Sequence, residues 1–326
     1  MNNTLAMVLS TALLAACACA AEAAAQRAPV VQDTDIGDDI DDTWALIMLL
    51  KSPQFDLKLV TTTYGKAEYR AKIIAKILTL AKRTDVAVGM GAGGRTGDGG
   101  QALWVKDYDL KSYAGTVHED GVQALIDTLN ASAQPVTVIS VGPSNTVAAA
   151  LEKQPAIAAK AIFSGMQGAV RKGYNGGKVS AEWNVKANIP AAKKVLLAPW
   201  KQTSITPLDT CGLVRLSGPR FQTLCESNDE MVKALLENYR IWAKKAQLSE
   251  LKGSSVLFDT VAVYLANPEP KPLLELEELN ITVTDAGLTP IDPAGVKMNV
   301  AVAWKSLDGY GDLLVKTLQQ PVAPKP

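Results

Sequence analysis

The sequence predicts an α/β protein: one domain built on an open, mostly parallel sheet with helices on both faces. Three observations predict it. Strand-like and helix-like segments alternate through the first half of the chain, the pattern of parallel strands joined by crossover helices. Roughly 300 residues follow an amino-terminal leader, enough for one large core. Six aspartates fall within the ten residues Asp33 to Asp42, between the first strand and the first helix, where sheets of this kind bind ligands.

Residues 1–25 carry no Lys or Arg, and their apolar run Leu5 to Ala16 is too short to cross a bilayer. They read as a secretory signal, so the mature protein is expected in the periplasm or secreted. Leu14-Ala15-Ala16-Cys17 resembles a lipoprotein cleavage box that would leave Cys17 lipidated, whereas Ala18-Cys19-Ala20 fits an ordinary cleavage site. A domain is expected over 27–319, with a disordered Pro-rich tail over 320–326.

Val30 and Val31 offer a short buried strand, and Thr43 to Leu50 a helix with Trp44, Ile47 and Leu50 on one face. Leu57 to Thr63 is rich in β-branched residues and predicts a strand. Glu68 to Lys82 predicts a helix with Tyr69, Ile73, Ile77 and Leu80 aligned. Strands follow at Val86 to Val88, Val136 to Ile139 and Ala161 to Phe163, with helices at Val122 to Leu129 and Thr146 to Leu151. The second half is more helical, at Asp229 to Lys245 and Phe258 to Leu265, before two late strands at Ile281 to Thr284 and Val300 to Trp304. Gly89, Gly91 and Gly94 match a G-x-G-x-x-G pattern, but Arg-Thr-Gly-Asp-Gly-Gly follows and cannot open a helix. That stretch reads as a mobile loop, placed to act as a flap over the site.

Net charge is zero and aromatic residues are 6% of the chain, so nothing marks a nucleic-acid or membrane-surface binder, and a small-molecule partner is expected. Cys211 and Cys225 are the cysteines beyond the leader, and in an oxidising compartment they are expected to pair, the alternative being two buried thiols.

The acidic loop carries the chemistry. Asp33, Asp35, Asp38, Asp39, Asp41 and Asp42 repel one another unless a cation or a helix N-terminus compensates them. Asp41 and Asp42 begin the helix and gain from its unpaired N–H groups. The others call for a hard divalent cation, calcium or magnesium, because no His or Cys accompanies them. The spacing is not that of an EF-hand: its fifth position is Gly37 and its twelfth Trp44, so further ligands must come from elsewhere in the chain.

Asp33-Thr34-Asp35-Ile36-Gly37, followed by Asp41-Asp42, resembles the signature of the inosine-uridine type nucleoside hydrolases, in the variant with two extra residues before the D-D pair. The resemblance runs over residues 29 to 318 and implies a Rossmann-like sheet, bound calcium and hydrolysis of nucleosides to ribose and free base. It implies Asp35 as metal ligand and base, with Asp42, the Val141 carbonyl and Asp259 completing the metal cage. Asp41, Glu182 and Asn184 would hold the ribose. Met166-Gln-Gly168 is similar to the family's M-G-G, and Ala181-Glu182-Trp183-Asn184 to its A-E-F-N. A carboxylate and an amide one residue apart can both accept from and donate to vicinal hydroxyls.

Two departures stand out. Many members carry a His before the last metal ligand, thought to protonate the leaving base, whereas Phe258 precedes Asp259 here. The chain's single histidine, His118, lies in Val117-His-Glu-Asp-Gly121, which resembles another family segment, and is the remaining candidate for that proton. In Tyr64-Gly-Lys66, Lys66 replaces an Asn that contacts ribose in other members, so it either takes over that contact or meets an anionic ligand. Tyr239, Trp242 and Trp104 are candidates to stack on the base, or else core residues. Family members are commonly dimers or tetramers. The competing readings are a nucleoside- or ribose-binding protein without catalysis, and a hydrolase of another ribosyl compound.

Overall fold

A computed structural model describes residues 27–94 and 96–325; the expected leader, with Cys17, lies outside the described residues. Nine strands form one sheet: β1 (Ala28–Thr34), β2 (Phe55–Thr62), β3 (Ala87–Gly89), β4 (Val117–His118), β5 (Thr137–Ser140), β6 (Ile162–Met166), β7 (Gln202–Thr206), β8 (Leu274–Ile281) and β9 (Val296–Trp304). Their order across the sheet is β4-β3-β2-β1-β5-β6-β7-β9-β8, and each neighbouring pair is parallel except β8 with β9. The chain moves outward from β1 through β2 and β3 to β4, then returns to the other flank of β1 with β5. The strand order therefore reverses at β1. A crevice opens above the carboxyl end of the strand at such a reversal, and that end of β1 is where the acidic loop begins.

Successive side chains of a strand point to opposite faces. Val30 accordingly joins the apolar cluster on one face of the sheet and Val31 the cluster on the other. The first face is covered by α1 (Asp41–Leu50) and α2 (Ala67–Leu80), the second by α3 (Gly121–Ala131) and α4 (Asn145–Lys153). α5 (Trp183–Ala187), α6 (Glu230–Trp242), α7 (Thr260–Ala266) and α8 (Leu307–Leu318) follow. All ten residues of α1 are buried, so the face shared by Trp44, Ile47 and Leu50 is only part of its contact surface. An apolar helix without a polar side belongs inside the protein.

The structure departs from expectation in four places. The first late strand is β8, which ends at Ile281, where it was expected to begin. Glu275, Glu277 and Glu278 disguise it, and their charge suits a sheet edge that must not pair with another chain. α8 was not anticipated, because Gly309 and Gly311 obscure its period; the Gly311 backbone passes close to the Arg220 side chain. The start of the glycine-rich segment is packed against the sheet, while Gly93, Gly94 and residues 96–98 beyond it are exposed. Gly91 N–H donates to Thr62 Oγ1 at 3.0 Å and Ala92 N–H to Thr146 Oγ1 at 2.9 Å, and a Cβ on Gly91 would lie 2.1 Å from the Thr62 carbonyl oxygen.

The tail expected to be disordered from Gln320 is laid against the domain through Lys325. Ala323 N–H donates to the Leu50 carbonyl at 2.8 Å, and the Ala323 carbonyl accepts from Arg83 at 3.2 Å. Finally, Cys211 and Cys225 are both free thiols. Cys211 sits in the core with Sγ donating to the Pro207 carbonyl, while Cys225 ends a surface helix and is exposed.

Lys51 ties the carboxyl-terminal segment to the core: its buried Nζ donates to Asp229 Oδ2 at 2.8 Å and to the Gln320 carbonyl at 2.5 Å. Asp229 is 27% exposed, so water still screens it if the lysine is lost. Lys51→Met is expected to destabilise the fold by about 1–3 kcal/mol, less than breaking a fully buried pair, as read from urea denaturation.

Candidate active site

The acidic loop leaves β1 through a short strand-to-helix connection pinned by neighbours of every kind. Asp33 is fully buried and accepts from Thr61 Oγ1 at 2.6 Å, while its second carboxylate oxygen has no partner. Thr34 Oγ1 donates to Asp42 Oδ1 and accepts from Ile36 N–H, fastening the start of the loop to its end. Gly37 has φ 116°, a conformation open to glycine, and its carbonyl accepts from the Tyr69 hydroxyl at 3.0 Å. Arg70 is almost completely buried and donates to the Ile36 carbonyl (2.8 Å), the Tyr64 carbonyl (2.7 Å) and Asp38 Oδ2 (2.9 Å). The two extra residues of the loop are held through their backbone. Trp242 Nε1 donates to the Asp38 carbonyl at 2.7 Å and Gln101 Nε2 to the Asp39 carbonyl at 3.0 Å.

These restraints bring most of the predicted residues into one open cleft, whose free space, its open mouth included, is about 480 Å³. Its floor is made by Asp35, Asp41, Asp42 and Asp259, each at most 7% exposed. The backbone comes close here, since a Cβ on Gly142 would lie 2.5 Å from Asp35 Oδ1. Two helices point their N-termini at the floor: Asp41 and Asp42 occupy the first turn of α1, and Asp259 immediately precedes α7. Asp259 N–H also donates to Asp41 Oδ2 at 3.3 Å.

One side wall comes from the loops after β5 and β6. The Asn184 amide donates to the Val141 carbonyl at 3.1 Å and the Met166 carbonyl at 3.0 Å. Glu182 caps α5, accepting from Gly168, Asn184 and Val185 N–H groups at 2.7–3.2 Å. Val141, Met166, Glu182 and Asn184 all line the cleft.

Burial and crowding set the charge of the floor. Asp35 is pushed up to about 7, first by burial and then by Asp38 and Asp41, against the pull of Arg70. Asp41 is likewise pushed up to about 7 by burial and by Asp39. Burial and neighbouring aspartates raise Asp42 and Asp259 well above the usual carboxylate range, and burial lifts Glu182 to about 7. Helix N-termini do not balance so many carboxylates by themselves. Asp41, Asp42 and Asp259 each offer an oxygen, and these atoms all lie within 4.8 Å of one another. With no nitrogen or sulfur in the donor set, they suit a hard divalent cation.

Five candidate residues are not brought to the cleft. His118 is exposed on β4, the outermost strand, three strands from β1, where its backbone pairs with the β3 segment. Lys66 is half exposed and paired with Asp98 at 2.9 Å. Trp242 braces the Asp38 backbone and stacks on Tyr239 at 5.9 Å rather than facing a ligand, and Tyr239 and Trp104 are core residues.

The structure adds residues that sequence reasoning did not select. Tyr174 and Trp183 stand on the rim with Phe258, and Tyr174 meets Phe258 edge to face at 6.3 Å. Asp209 holds the strap that carries Tyr174: its carboxylate accepts from three consecutive N–H groups, of Val170, Arg171 and Lys172, at 2.7–3.2 Å. The glycines on either side of Tyr174-Asn175 were the available signal, marking a turn that presents a single aromatic side chain.

A family model described as inosine-uridine preferring nucleoside hydrolase matches residues 30–319. A pyrimidine-specific ribonucleoside hydrolase of Salmonella paratyphi A is 31% identical over 183 residues, covering 51% of this chain and 56% of that protein. The corresponding enzyme of Salmonella enteritidis PT4 is 33% identical over 184 residues with the same coverage, so the match spans about half the length of these curated relatives. Among solved structures, a plant nucleoside hydrolase superposes with TM-score 0.75 at 21% identity, covering 92% of this chain and 100% of that one. A purine-preferring ribonucleoside hydrolase from Gardnerella vaginalis superposes with TM-score 0.71 at 22% identity, covering 89% and 99%. At these identities the superpositions establish the shared fold.

The raised carboxylates make stability depend on pH in a definite direction. An acid whose pKa is higher in the folded state favours folding fully below its unfolded value, near 4, and loses that contribution as pH rises through its folded value, here about 7. The cation-free protein should therefore melt at progressively lower temperature from pH 5 to pH 8. An added hard divalent cation should restore most of the loss at pH 8 and little of it at pH 5, as read from thermal melts with and without a chelator.

Proposed function

The chain belongs to the inosine-uridine preferring nucleoside hydrolase family, and on that premise we propose that it hydrolyses the N-glycosidic bond of ribonucleosides, with calcium bound at the carboxylate floor. The observation that carries the reading is the convergence of four buried aspartates, from the residue after β1, the first turn of α1 and the residue before α7, beside a carboxylate-and-amide wall. Asp42 and Asp259, with Asp35 and the Val141 carbonyl from the same cleft, are the residues that would hold the cation, while Asp41, whose oxygen lies within 4.8 Å of those of Asp42 and Asp259, turns to the ribose. When bound, such a cation supplies a positioned water of lowered pKa.

Asp35 takes the proton of the attacking water. Asp41 and Glu182 accept from the ribose hydroxyls, and Asn184 is oriented for the same sugar by the bonds of its amide to the Val141 and Met166 carbonyls. Met166 closes the wall behind it. As the C1′–N bond lengthens, positive charge grows on the sugar ring, and the surrounding carboxylates stabilise it. In this proposal the protein acts on a small nucleoside in the periplasm or the medium, free or tethered through a lipid on Cys17, and as a homo-oligomer of two or four chains.

Ribose release from a panel of nucleosides, with calcium and after chelation, tests the reading. Release should require calcium, and Asp35→Ala should lower kcat by about 10²–10⁴-fold or more, the range of a lost catalytic base. Nucleoside binding with no ribose released under any condition would overturn it in favour of a binding protein on a hydrolase scaffold.

A further inference from the structure

We propose that the cleft is selective for ribosides whose base already carries a positive charge, namely N-ribosyl pyridinium compounds and N7-alkylated purine ribosides. The inference rests on the glycosidic hydrolysis proposed above and concerns the rim, where the base must lie once the ribose occupies the floor.

The first argument is the fate of the leaving group. When the C1′–N bond breaks, its electron pair moves onto the ring nitrogen, the water oxygen bonds to C1′ and the water proton passes to Asp35. A neutral base departing this way becomes an anion unless an acid protonates it. A cationic base becomes neutral and needs no proton.

The cleft's carboxyls are committed to the cation and the ribose or, in Asp38 and Asp39, stand on the rim as carboxylates, and no other lining group supplies such an acid. Among the described residues lining the cleft there is no His, Lys or Arg. His118 is exposed on the edge strand β4, and Lys66 is engaged with Asp98 outside the cleft. Phe258 occupies the position before Asp259. The hydroxyl of Tyr174 is pushed up to about 12, first by burial and then by the nearby charges of Glu182 and others, and it already accepts from Trp183 N–H at 3.0 Å. A phenol so displaced is a poor proton donor at neutral pH.

The second argument is the charge and shape of the rim. Asp38 and Asp39 line the same cleft above the buried floor. Arg70 is paired with Asp38, but Asp39 is exposed and makes no ion pair among the described residues. Asp39 and Tyr174 both line this opening. Tyr174 is 42% and Trp183 48% exposed, so both present open aromatic surface, and their edge-to-face contacts with Phe258 and Tyr64 fix their orientation. Aromatic faces beside a carboxylate favour a planar cation over its neutral counterpart. The lysine that would have suited an anionic ligand is turned to another partner.

Matched pairs on the calcium-loaded protein test this: guanosine against N7-methylguanosine, and N-ribosylnicotinamide against its neutral dihydro form. The cationic member of each pair should show kcat/KM higher by about 10²-fold, the lower bound of what an acid contributes to a neutral leaving group. Preference in one pair alone would identify the purine or the pyridine source. Phe258→His should raise kcat on guanosine by about tenfold or more and change the methylated substrate little.

A binding measurement independent of turnover completes the test. N-methylnicotinamide, a cation, should bind about tenfold tighter than nicotinamide by calorimetry, and Asp39→Asn should remove most of that difference. Equal kcat/KM within both pairs, or equal binding of the two nicotinamides, would overturn the inference while leaving the hydrolase intact. Ribose released from none of the four ribosides would overturn the hydrolase reading, and the two nicotinamides would then decide the cation preference by themselves.

Discussion

Four carboxylates share one buried floor, and the fold is organised around the electrostatic cost of keeping them together. Removing a carboxylate from water is unfavourable by several kcal/mol unless it is paired or hydrogen-bonded, and adjacent like charges add to that cost. The structure offsets it with what the backbone and a single cation-bearing side chain provide. α1 and α7 direct their N-termini at the cluster, Thr34 and the Asp259 amide donate to it, and Arg70 pulls on Asp35 from beneath the loop. What these groups leave uncompensated appears as carboxyls raised to about 7 and beyond. A hard cation would remove that residue of repulsion, so structural stability and chemistry meet at the same atoms.

The site divides into two layers with different logic. Below, acidic groups are buried at the end of β1, where strand order reverses, and at the starts of α1 and α7. Above, the rim is built from loops: the two extra residues of the acidic loop, braced by Trp242 and Gln101, and the strap anchored on Asp209 that presents Tyr174. Sugar chemistry calls for the rigidity of the first layer, while the choice of base can vary with the second. The glycine-rich segment belongs to the bracing. Its start bonds to Thr62 and Thr146, and Gln101 just beyond it bonds to Asp39, Thr43 and Asn238.

Much of this was legible before any coordinates. Alternation of β-branched and helical-period segments was enough for the parallel sheet, and the position of the acidic loop after the first strand was enough for the ligand-binding end. The acidic cluster itself was visible because six aspartates in ten residues, set between an apolar strand and an apolar helix, fit a site better than a solvated acidic turn. What misled were signals that read the same in two settings. Glycines in α8 and glutamates in β8 concealed regular structure, since surface helices and edge strands tolerate such residues. A histidine in a familiar-looking segment and a tryptophan near a helix end suggested contact with substrate.

By itself, then, the sequence determined the fold class, the buried strands and the set of acidic and amide side chains that could share a site. Those properties depend on local period and residue chemistry, which a chain carries whatever its path. Only the tertiary structure decided that His118 and Lys66 face away, that Trp242 supports the loop and that Tyr174, Trp183 and Asp39 share the opening. It also decided that Cys211 and Cys225 stay apart. Such facts depend on the distances and directions between segments far apart in the chain, and spacing along a sequence does not contain them.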